Sequence, residues 1–418
     1  MGNIRVCMLL YGDVEHDARV QREARTLVDA GYQVTIATLA LADDTRVEVG
    51  GVDGATVVPL TDGRRRRLLP GSPSPFLEAA AEGRGPVGRL RRRLEWLAGY
   101  ARTYRGWARE AERRLPPADI WHGHDLPGLW AAGRLRARHG GAVIYDSHEL
   151  FLQAGSAARL PRPARSLLAF FEGRSARSAA GVITVNRSIA ETLERQYRVH
   201  PVVVMNCPPF RPPSEAPQLR RQLGLVGRRV ALFHGALSEG RGVEELVEVL
   251  PGLDPNTALV LLGDGPLAAS LQARSAQPAW QGRLVVHPAV PLDVLRDWVC
   301  DADVGLILFQ PVDRNNILGT PNKLFEYFEA GVPVVVSNFP EMERIVNETD
   351  AGVACDPTDE HAILRAIRAI LDAPAETQAH RRAAARRAAA VTYNWQVQSA
   401  ALVELYAAVA PTTGPLPS

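Results

Sequence analysis

Short apolar runs at 4–10, 33–39, 118–122, 142–146, 181–185 and 201–205 punctuate the first half of the chain, with stretches of helical periodicity between them. The runs are rich in Val, Ile and Leu and bounded by polar or turn residues, the pattern of strands covered on both faces. Residues 17–30 carry Ala, Val and Leu at helical spacing and stop at Gly31, where a C-cap glycine is expected. Over 86–115, Val87, Leu90, Leu94, Leu97, Ala101, Tyr104, Ala108, Ala111 and Leu115 recur every three or four residues, predicting one apolar helix face with Arg on the others. Residues 62–75, with four consecutive Arg followed by Pro, Gly and Ser, read as an exposed loop.

Cys207–Pro217 places five Pro in eleven residues, which suits neither a helix nor a central strand and predicts an inter-domain linker over 207–217. The alternation then restarts. Strands are expected at 229–234, 258–262, 284–287, 304–308, 333–337 and 352–355, and helices at 242–250, 265–276, 291–300, 321–330, 358–373 and 376–390. Alternating strands and helices imply parallel sheets covered on both faces. The expected fold class is therefore α/β, with two Rossmann-like doubly wound domains, 1–206 and 218–392, facing a cleft. Ligands of such sheets bind beyond the carboxyl ends of the strands.

Composition narrows the function classes. The chain has 418 residues, 46% hydrophobic and 22% charged, which excludes a wholly disordered or fibrous protein. No apolar run approaches the ~20 residues of a membrane span. Met1 leads into Ile4–Leu10 without a basic region, so the N-terminus reads as a first strand rather than a signal peptide. Cys7, Cys207, Cys300 and Cys355 lie far apart, as free thiols of a reducing cytoplasm would. A net charge of +2 does not argue for nucleic acid, and no recognition module is visible. Residues 64–114 nevertheless hold fourteen Arg and five Glu, a charge of +9 that leaves −7 for the remainder.

The strongest motif runs from Gly319 through Thr320, Pro321, Asn322, Lys323 and Glu326 to Gly331 and Val335. Thr320 suits an N-cap, Pro321 the first helical position and Gly331 the stop. A helix N-terminus aimed at a ligand is an anion site, because its unpaired N–H groups and dipole favour phosphate. Glu326, just over a turn further on, could accept hydrogen bonds from the paired hydroxyls of a ribose. Lys323 is the chain's single lysine and sits in the first turn, where a cation opposes the dipole, so it has another task such as pairing a phosphate. The competing reading is a solvated lysine and a surface glutamate. His122, His124 and His148 end two strands and could face a ligand or hydrogen-bond loop backbone. Asp301 and Asp303 mimic a metal-binding Asp-x-Asp but precede a strand, which reads as a helix-to-strand connection. No metal is expected.

The P-N-K-L-F-E-Y-x-x-A-G-x-P-V-V block resembles the signature of retaining, family-4-type glycosyltransferases of the GT-B fold. Other blocks agree in order: Gly12 with His16-Asp17-Ala18-Arg19-Val20, Trp121 to Asp125, Tyr145 to Glu149, Phe233-His234-Gly235, Arg241-Gly242, and Leu262 to Pro266. The resemblance implies a nucleotide-sugar donor, a UDP- or GDP-sugar, held by the C-terminal domain. It implies Glu326 on the ribose, Arg241 and Lys323 on the diphosphate, Val290 reading the base through backbone, and Gly235, Gly319, Thr320, Pro321 and Asn322 lining the donor. His148 would lie near the donor sugar, with Gly12, His16, Asp17, Arg19, His124 and Asp125 on the acceptor side. His148, Arg241, Lys323 and Glu326 are thus the candidate catalytic residues. The family's usual first Glu is replaced by Leu318, for which Asn315 or Asn316 could substitute. A final helix at about 394–410, within 393–418, would cross back to the first domain.

The resemblance implies a cytoplasmic, metal-independent retaining transferase acting on a glycolipid, polysaccharide or secondary-metabolite hydroxyl. An NDP-sugar epimerase on the same fold and a non-catalytic nucleotide-binding subunit are the alternatives. The 64–114 region could be a solvated face, a peripheral dock at the inner membrane with Trp96, Tyr104 and Trp107 as interface anchors, or an anionic-acceptor site.

Overall fold

A computed structural model describes residues 4–40, 48–52, 54–61, 99, 102–158, 160–214 and 216–410. It divides into two compact units, Met1–Val204 with Ser399–Ser418, and Met205–Gln398. The predicted 62–75 loop, most of the 64–114 region and the C-terminal tail lie outside the described residues.

The first unit holds β1 (Arg5–Leu9), β2 (Gln33–Leu39), β3 (Glu48–Val52), β4 (Ala55–Leu60), β5 (Ile120–His124), β6 (Ala142–Ser147), β7 (Gly181–Thr184) and β8 (Val202–Val203). They form one sheet in the order β3-β4-β2-β1-β5-β6-β7-β8, parallel throughout except for the antiparallel β3–β4 pair. Its helices include α1 (Ala18–Asp29), α2 (Asp125–His139), α3 (Arg162–Ser178) and α4 (Arg187–Tyr197). β1 lies between β2 and β5, so the chain direction of winding reverses there, and the loops after β1 and β5 open beside each other. Two expectations need correction. The run at 118–122 pairs from Ile120 to His124, and that at 201–205 forms only Val202–Val203. The hairpin β3–β4 was not foreseen, because its Glu, Gly and Pro content dilutes the apolar run.

The second unit contributes β9 (Arg229–His234), β10 (Thr257–Leu262), β11 (Leu284–His287), β12 (Val304–Ile307), β13 (Val334–Ser337) and β14 (Gly352–Cys355), all parallel, in the order β11-β10-β9-β12-β13-β14. Here the reversal falls between β9 and β12. Side chains alternate across the sheet: Val230 and Leu232 enter one core, Ala231 and Phe233 the other. Covering helices include α5 (Val243–Val249), α6 (Leu292–Val299), α7 (Asn322–Ala330), α8 (Pro340–Thr349), α9 (Glu360–Leu371) and α10 (Ala375–Val391). Asp359 caps α9 through His361 N–H, and the helix buries Ile363, Ile367, Ile370 and Leu371 along one face. Each such side chain contributes about 1.5–3 kcal/mol as an upper estimate.

The Pro-rich stretch is not a free tether. Cys207 is fully buried in the core of the second unit, Arg211 N–H donates to Glu329 at 3.2 Å, and Phe210 N–H donates to Gln396 at 3.1 Å. The last helix, α11, spans Trp395–Val409. From within the first unit its Tyr406 meets His122, hydroxyl to Nδ1 at 2.7 Å, with both side chains fully buried.

Candidate functional site

In the second unit the site is built at the reversal point. β9 delivers His234 and then Gly235, whose φ of +117° favours glycine. A Cβ on Gly263, after β10, would stand 1.9 Å from the Gly235 carbonyl oxygen, so the two loops touch only because residue 263 lacks a side chain. Gly265 similarly abuts Leu237 O, and Asp264 accepts from Ala289 N–H at 3.2 Å. Gly263-Asp264-Gly265 therefore shapes the loops rather than cradling an anion by itself.

Lys323 lies in the first turn of α7, yet its side chain is buried. The ammonium sits 3.7 Å from the Phe233 ring centroid and 5.9 Å from that of Phe309. A Cβ on Gly235 would come within 3.1 Å of Nζ, so glycine there leaves room for the ammonium. Burial, reinforced by the charge of Arg241, pulls its pKa from 10.5 down to about 7, against the opposing pull of Glu326. Arg241 stacks on the other aromatic, its guanidinium carbon 4.3 Å from the Phe309 centroid. Arg241 precedes Gly242, where a Cβ would strike Leu308 O, and α5 starts directly after it. The bland reading of a solvated lysine is thereby excluded.

Glu326 is part-exposed on the next turn of α7. His234 approaches it, Nε2 to Oε2 at 3.5 Å, without completing a hydrogen bond, and packs on Tyr327 at 4.8 Å. Burial and the nearby Lys323 charge hold His234 well below its ordinary pKa, so it is neutral. The sequence reading did not nominate His234; its signal was its position at the end of the strand next to the reversal. Thr320 is not the N-cap: Pro321 occupies that position in an extended conformation (φ −71°, ψ 140°) and helix begins at Asn322. Proline's fixed φ and missing N–H make it a suitable last extended residue. Gly319 closes the short helix Arg314–Leu318, and its N–H donates to Asn315 O at 2.7 Å. Asn316 braces that helix, donating to Gly240 O and Gln310 O at 3.4 and 3.3 Å. Val290 is half-buried after β11, ahead of α6. Asp301 and Asp303 pair with Arg220, as a helix-to-strand connection rather than a metal site.

In the first unit, His124 ends β5, Asp125 follows it, and His148 follows β6. Asp125 starts α2 at φ +53°, a conformation costly for a side-chain-bearing residue, and it accepts from His148 N–H at 3.0 Å. Beneath them lies an ion cluster. Arg19 forks onto Asp146 with two bonds of 2.9 Å, reaches Glu23 at 3.0 Å and donates to Val204 O at 2.6 Å. His148 Nε2 lies 3.1 Å from Asp146 and 3.0 Å from His124 Nδ1. Burial opposes charge on His148, but Asp146 and Asp125 outweigh it and raise the pKa to about 10. The imidazolium N–H then faces Asp146 and His124, leaving His124 Nδ1 an acceptor. Burial pushes Asp146 up, yet Arg19 and His148 hold it well below the usual carboxylate range. Burial raises Glu23 to about 8 despite Arg19. His122 and His124 are kept neutral, burial being the main cause.

The other acceptor-side candidates have these places in the first unit. Arg19 is 2% exposed and spent on the cluster, because a buried carboxylate such as Asp146 needs a fixed cation. Asp17 caps α1, accepting from Arg19 and Val20 N–H groups. His16 stands in solvent, bonded to Asp13 at 2.6 Å. Gly12 O accepts from Leu39 N–H and Thr38, joining the β1 and β2 loops. Glu23, His122, His124 and Asp146 bring potential ligand atoms within 4.8 Å of one another. Arg19 already supplies the cation that the ionised Asp146 needs, and burial keeps Glu23 largely protonated at neutral pH, so a divalent ion would add charge beside Arg19 and His148. Trp107 and Tyr104 are not interface anchors either: Trp107 is fully buried and both rings pack on Tyr11, at 5.5 and 4.6 Å.

Two family models match, one in each unit: Glycosyltransferase Family 4 over 18–208, and Glycosyl transferases group 1 over 228–373. Sucrose-phosphate synthase from Thermosynechococcus elongatus superposes with a TM-score of 0.71 over 97% of this chain and 98% of its own, at 16% identity. The chain has the GT-B fold. Another GT-B neighbour, Anabaena HepE in complex with UDP, gives a TM-score of 0.69 over 97% of this chain and all of its own, at 13% identity. Among curated sequences, D-inositol 3-phosphate glycosyltransferase of Xylanimonas cellulosilytica is 31% identical over 54% of this chain and 56% of its own. A GDP-mannose-dependent phosphatidylinositol monomannoside mannosyltransferase of Mycolicibacterium smegmatis is 29% identical over 46% and 51%. The chain thus spans about half the length of the curated relatives it matches.

Proposed function

We propose that this GT-B protein is a metal-independent, retaining glycosyltransferase that moves a sugar from a nucleotide-diphosphate sugar to an acceptor hydroxyl. The observation that carries this reading is the desolvated Lys323 beside Arg241 at the start of α7, with Glu326 one turn on. Two cations held on aromatic faces, one of them depressed in pKa, gain most from an anion that arrives with two phosphates. The diphosphate neutralises both, and as the sugar–phosphate bond breaks they stabilise the charge left on the departing nucleotide. Glu326 accepts from the ribose hydroxyls. In the first unit His148, charged at neutral pH, is the candidate catalytic residue; Asp146 and His124 hold its ring and Asp125 accepts from its backbone N–H. The acceptor hydroxyl attacks on the face the nucleotide leaves, and the departing phosphate takes its proton.

Named relatives include inositol-phosphate and mannosyl transferases, and a fold neighbour is seen with UDP, which supports a UDP- or GDP-sugar here. Thermal stabilisation by UDP, GDP, dTDP and ADP tests the donor site. A ligand at 100 times its Kd adds ~2.7 kcal/mol, and Glu326→Ala should abolish the shift. Stabilisation by no nucleotide would overturn the reading. A changed sugar without transfer or hydrolysis would point to an epimerase.

A further inference from the structure

Helix α3 turns Glu172, Gly173 and Ala176 inward. Its opposite face presents Leu167, Phe170 and Phe171, 58%, 60% and 53% exposed, with the two rings edge-to-face at 5.7 Å. One such residue on a surface is ordinary; three on adjoining turns form a patch. At the same helical spacing the stripe continues to the exposed Arg174 and Arg177. Beside it lies a cavity of about 520 Å³ within the first unit, walled in part by Trp130, Phe171, Arg134, Arg136, Arg174 and Arg177, and by no acidic side chain among the described residues. Arg134 is paired with Glu112. Arg136 instead donates to Ser178 O and Oγ, and Arg177 to Tyr197 O, neutral acceptors, so that among the described residues neither charge meets a carboxylate.

Apolar rings that project from a helix beside uncompensated guanidinium groups match the two layers of a bilayer surface. The rings reach the acyl boundary and the cations meet lipid phosphates. A second copy fits worse, since a symmetric contact would set Arg174 and Arg177 against their own images. We infer that α3 and the adjoining arginine-walled cavity dock the first unit on membranes containing anionic phospholipid, with Leu167, Phe170 and Phe171 inserted and Arg136, Arg174 and Arg177 on headgroup phosphate. The surface shares no residue with the donor site, so the inference stands or falls apart from the transferase reading.

The test is co-sedimentation of the full chain with phosphatidylcholine vesicles, with and without phosphatidylglycerol, at low and high salt. Wild type should pellet with phosphatidylglycerol vesicles and dissociate at high salt. Arg174→Gln with Arg177→Gln should weaken apparent binding about 30-fold, the equivalent of ~1 kcal/mol per surface cation. Phe170→Ser with Phe171→Ser should weaken it at least as much. All four side chains are exposed, so the melting temperature should hold in both variants, which checks folding. The inference is overturned if wild type ignores phosphatidylglycerol. It is also overturned if both variants bind as wild type does, in which case the Arg-rich 64–114 region holds the vesicles. Dissociation of a wild-type dimer by the Phe substitutions, without loss of vesicle binding, would assign the patch to a second copy.

Discussion

Replacing Lys323 by Met should stabilise the ligand-free protein while destroying nucleotide binding. The folded environment lowers the lysine's pKa from 10.5 to about 7, with burial the first cause and Arg241 the second. At ~1.4 kcal/mol per pKa unit, the charged form is destabilised by ~5 kcal/mol below pH 7. Between pH 7 and 10.5 the folded state binds fewer protons than the unfolded one, so this lysine's contribution improves as pH rises. Its cost is ~4 kcal/mol at pH 7 and ~2 kcal/mol at pH 9. Met keeps the packing on Phe233 but loses the cation–π attraction, about 1–2 kcal/mol. The variant should therefore gain roughly 2–3 kcal/mol at pH 7, or about 5–10 °C for a unit of this size, and little at pH 9. Melting curves of both proteins from pH 6 to 9, with and without UDP and GDP, provide the assay. In wild type, nucleotide binding should take up a proton near pH 7.5, and its affinity should fall as pH rises above 7. A variant no more stable than wild type at pH 7, or one whose advantage does not shrink toward pH 9, would refute the reasoning.

Glu326→Gln keeps the shape of the α7 turn but removes the charged acceptor; nucleotide affinity should fall roughly 10- to 100-fold, the worth of a hydrogen bond to a charged group, with the ligand-free melting temperature nearly unchanged. Arg19→Met strips the fixed cation from the buried, ionised Asp146 and should cost ~3–5 kcal/mol in denaturant unfolding, whereas a near-neutral result would mean the cluster reorganises freely. His148 has a folded pKa raised from 6.5 to about 10, so its stabilising contribution is complete below pH 6.5 and lost as pH climbs through 10. The stability gap between wild type and His148→Gln should narrow by up to ~4 kcal/mol over that window, and a pH-independent gap would contradict the Asp146 pairing. Ile367→Ala, in the buried stripe of α9, should cost about 2–5 kcal/mol without touching nucleotide affinity.

The elements that the sequence disclosed well are those whose signal is local. β11 and β14 fall at 284–287 and 352–355 as expected, because each is a buried apolar run between turn residues. The helix of Lys323 was marked by Pro321 and Gly331, although the cap shifted by one residue. What escaped depended on distant partners. α8 hides behind Glu341 and Glu343, and its burial comes from Met342, Ile345 and Val346 facing β13 and β14. Resemblance placed Arg19 on the acceptor side, and nothing in the sequence marked it as an ion-pair partner. Only the sheet brings Asp146, 127 positions away, to its guanidinium. Trp107 looked like an interface anchor because an amphipathic helix does not say which way its aromatic face turns; Tyr11 decides it. The burial of Lys323 is likewise legible only once Phe233 and Phe309, from β9 and the loop after β12, are seen around it.

The two sheets use opposite electrostatics at equivalent places, the loops beyond the reversal of strand order. In the first unit the central charges are matched: Arg19 and His148 face Asp146, and the shifts of Asp146 and His148 both favour their ionised forms, while burial raises Glu23 and Asp125. In the second unit Lys323 and Arg241 crowd two cations onto aromatic rings, with Glu326 as a partial counterweight, and the lysine is driven toward neutrality. A fold selected only for stability would place Met or Leu at 323. A buried cation that costs several kcal/mol persists where something anionic repays it. The size of that deficit sets the demand on the ligand: it must bring negative charge to Lys323, as a phosphate does. The destabilised lysine is therefore the stronger functional signal, and the well-satisfied histidine cluster is the scaffold that keeps His148 charged and fixed.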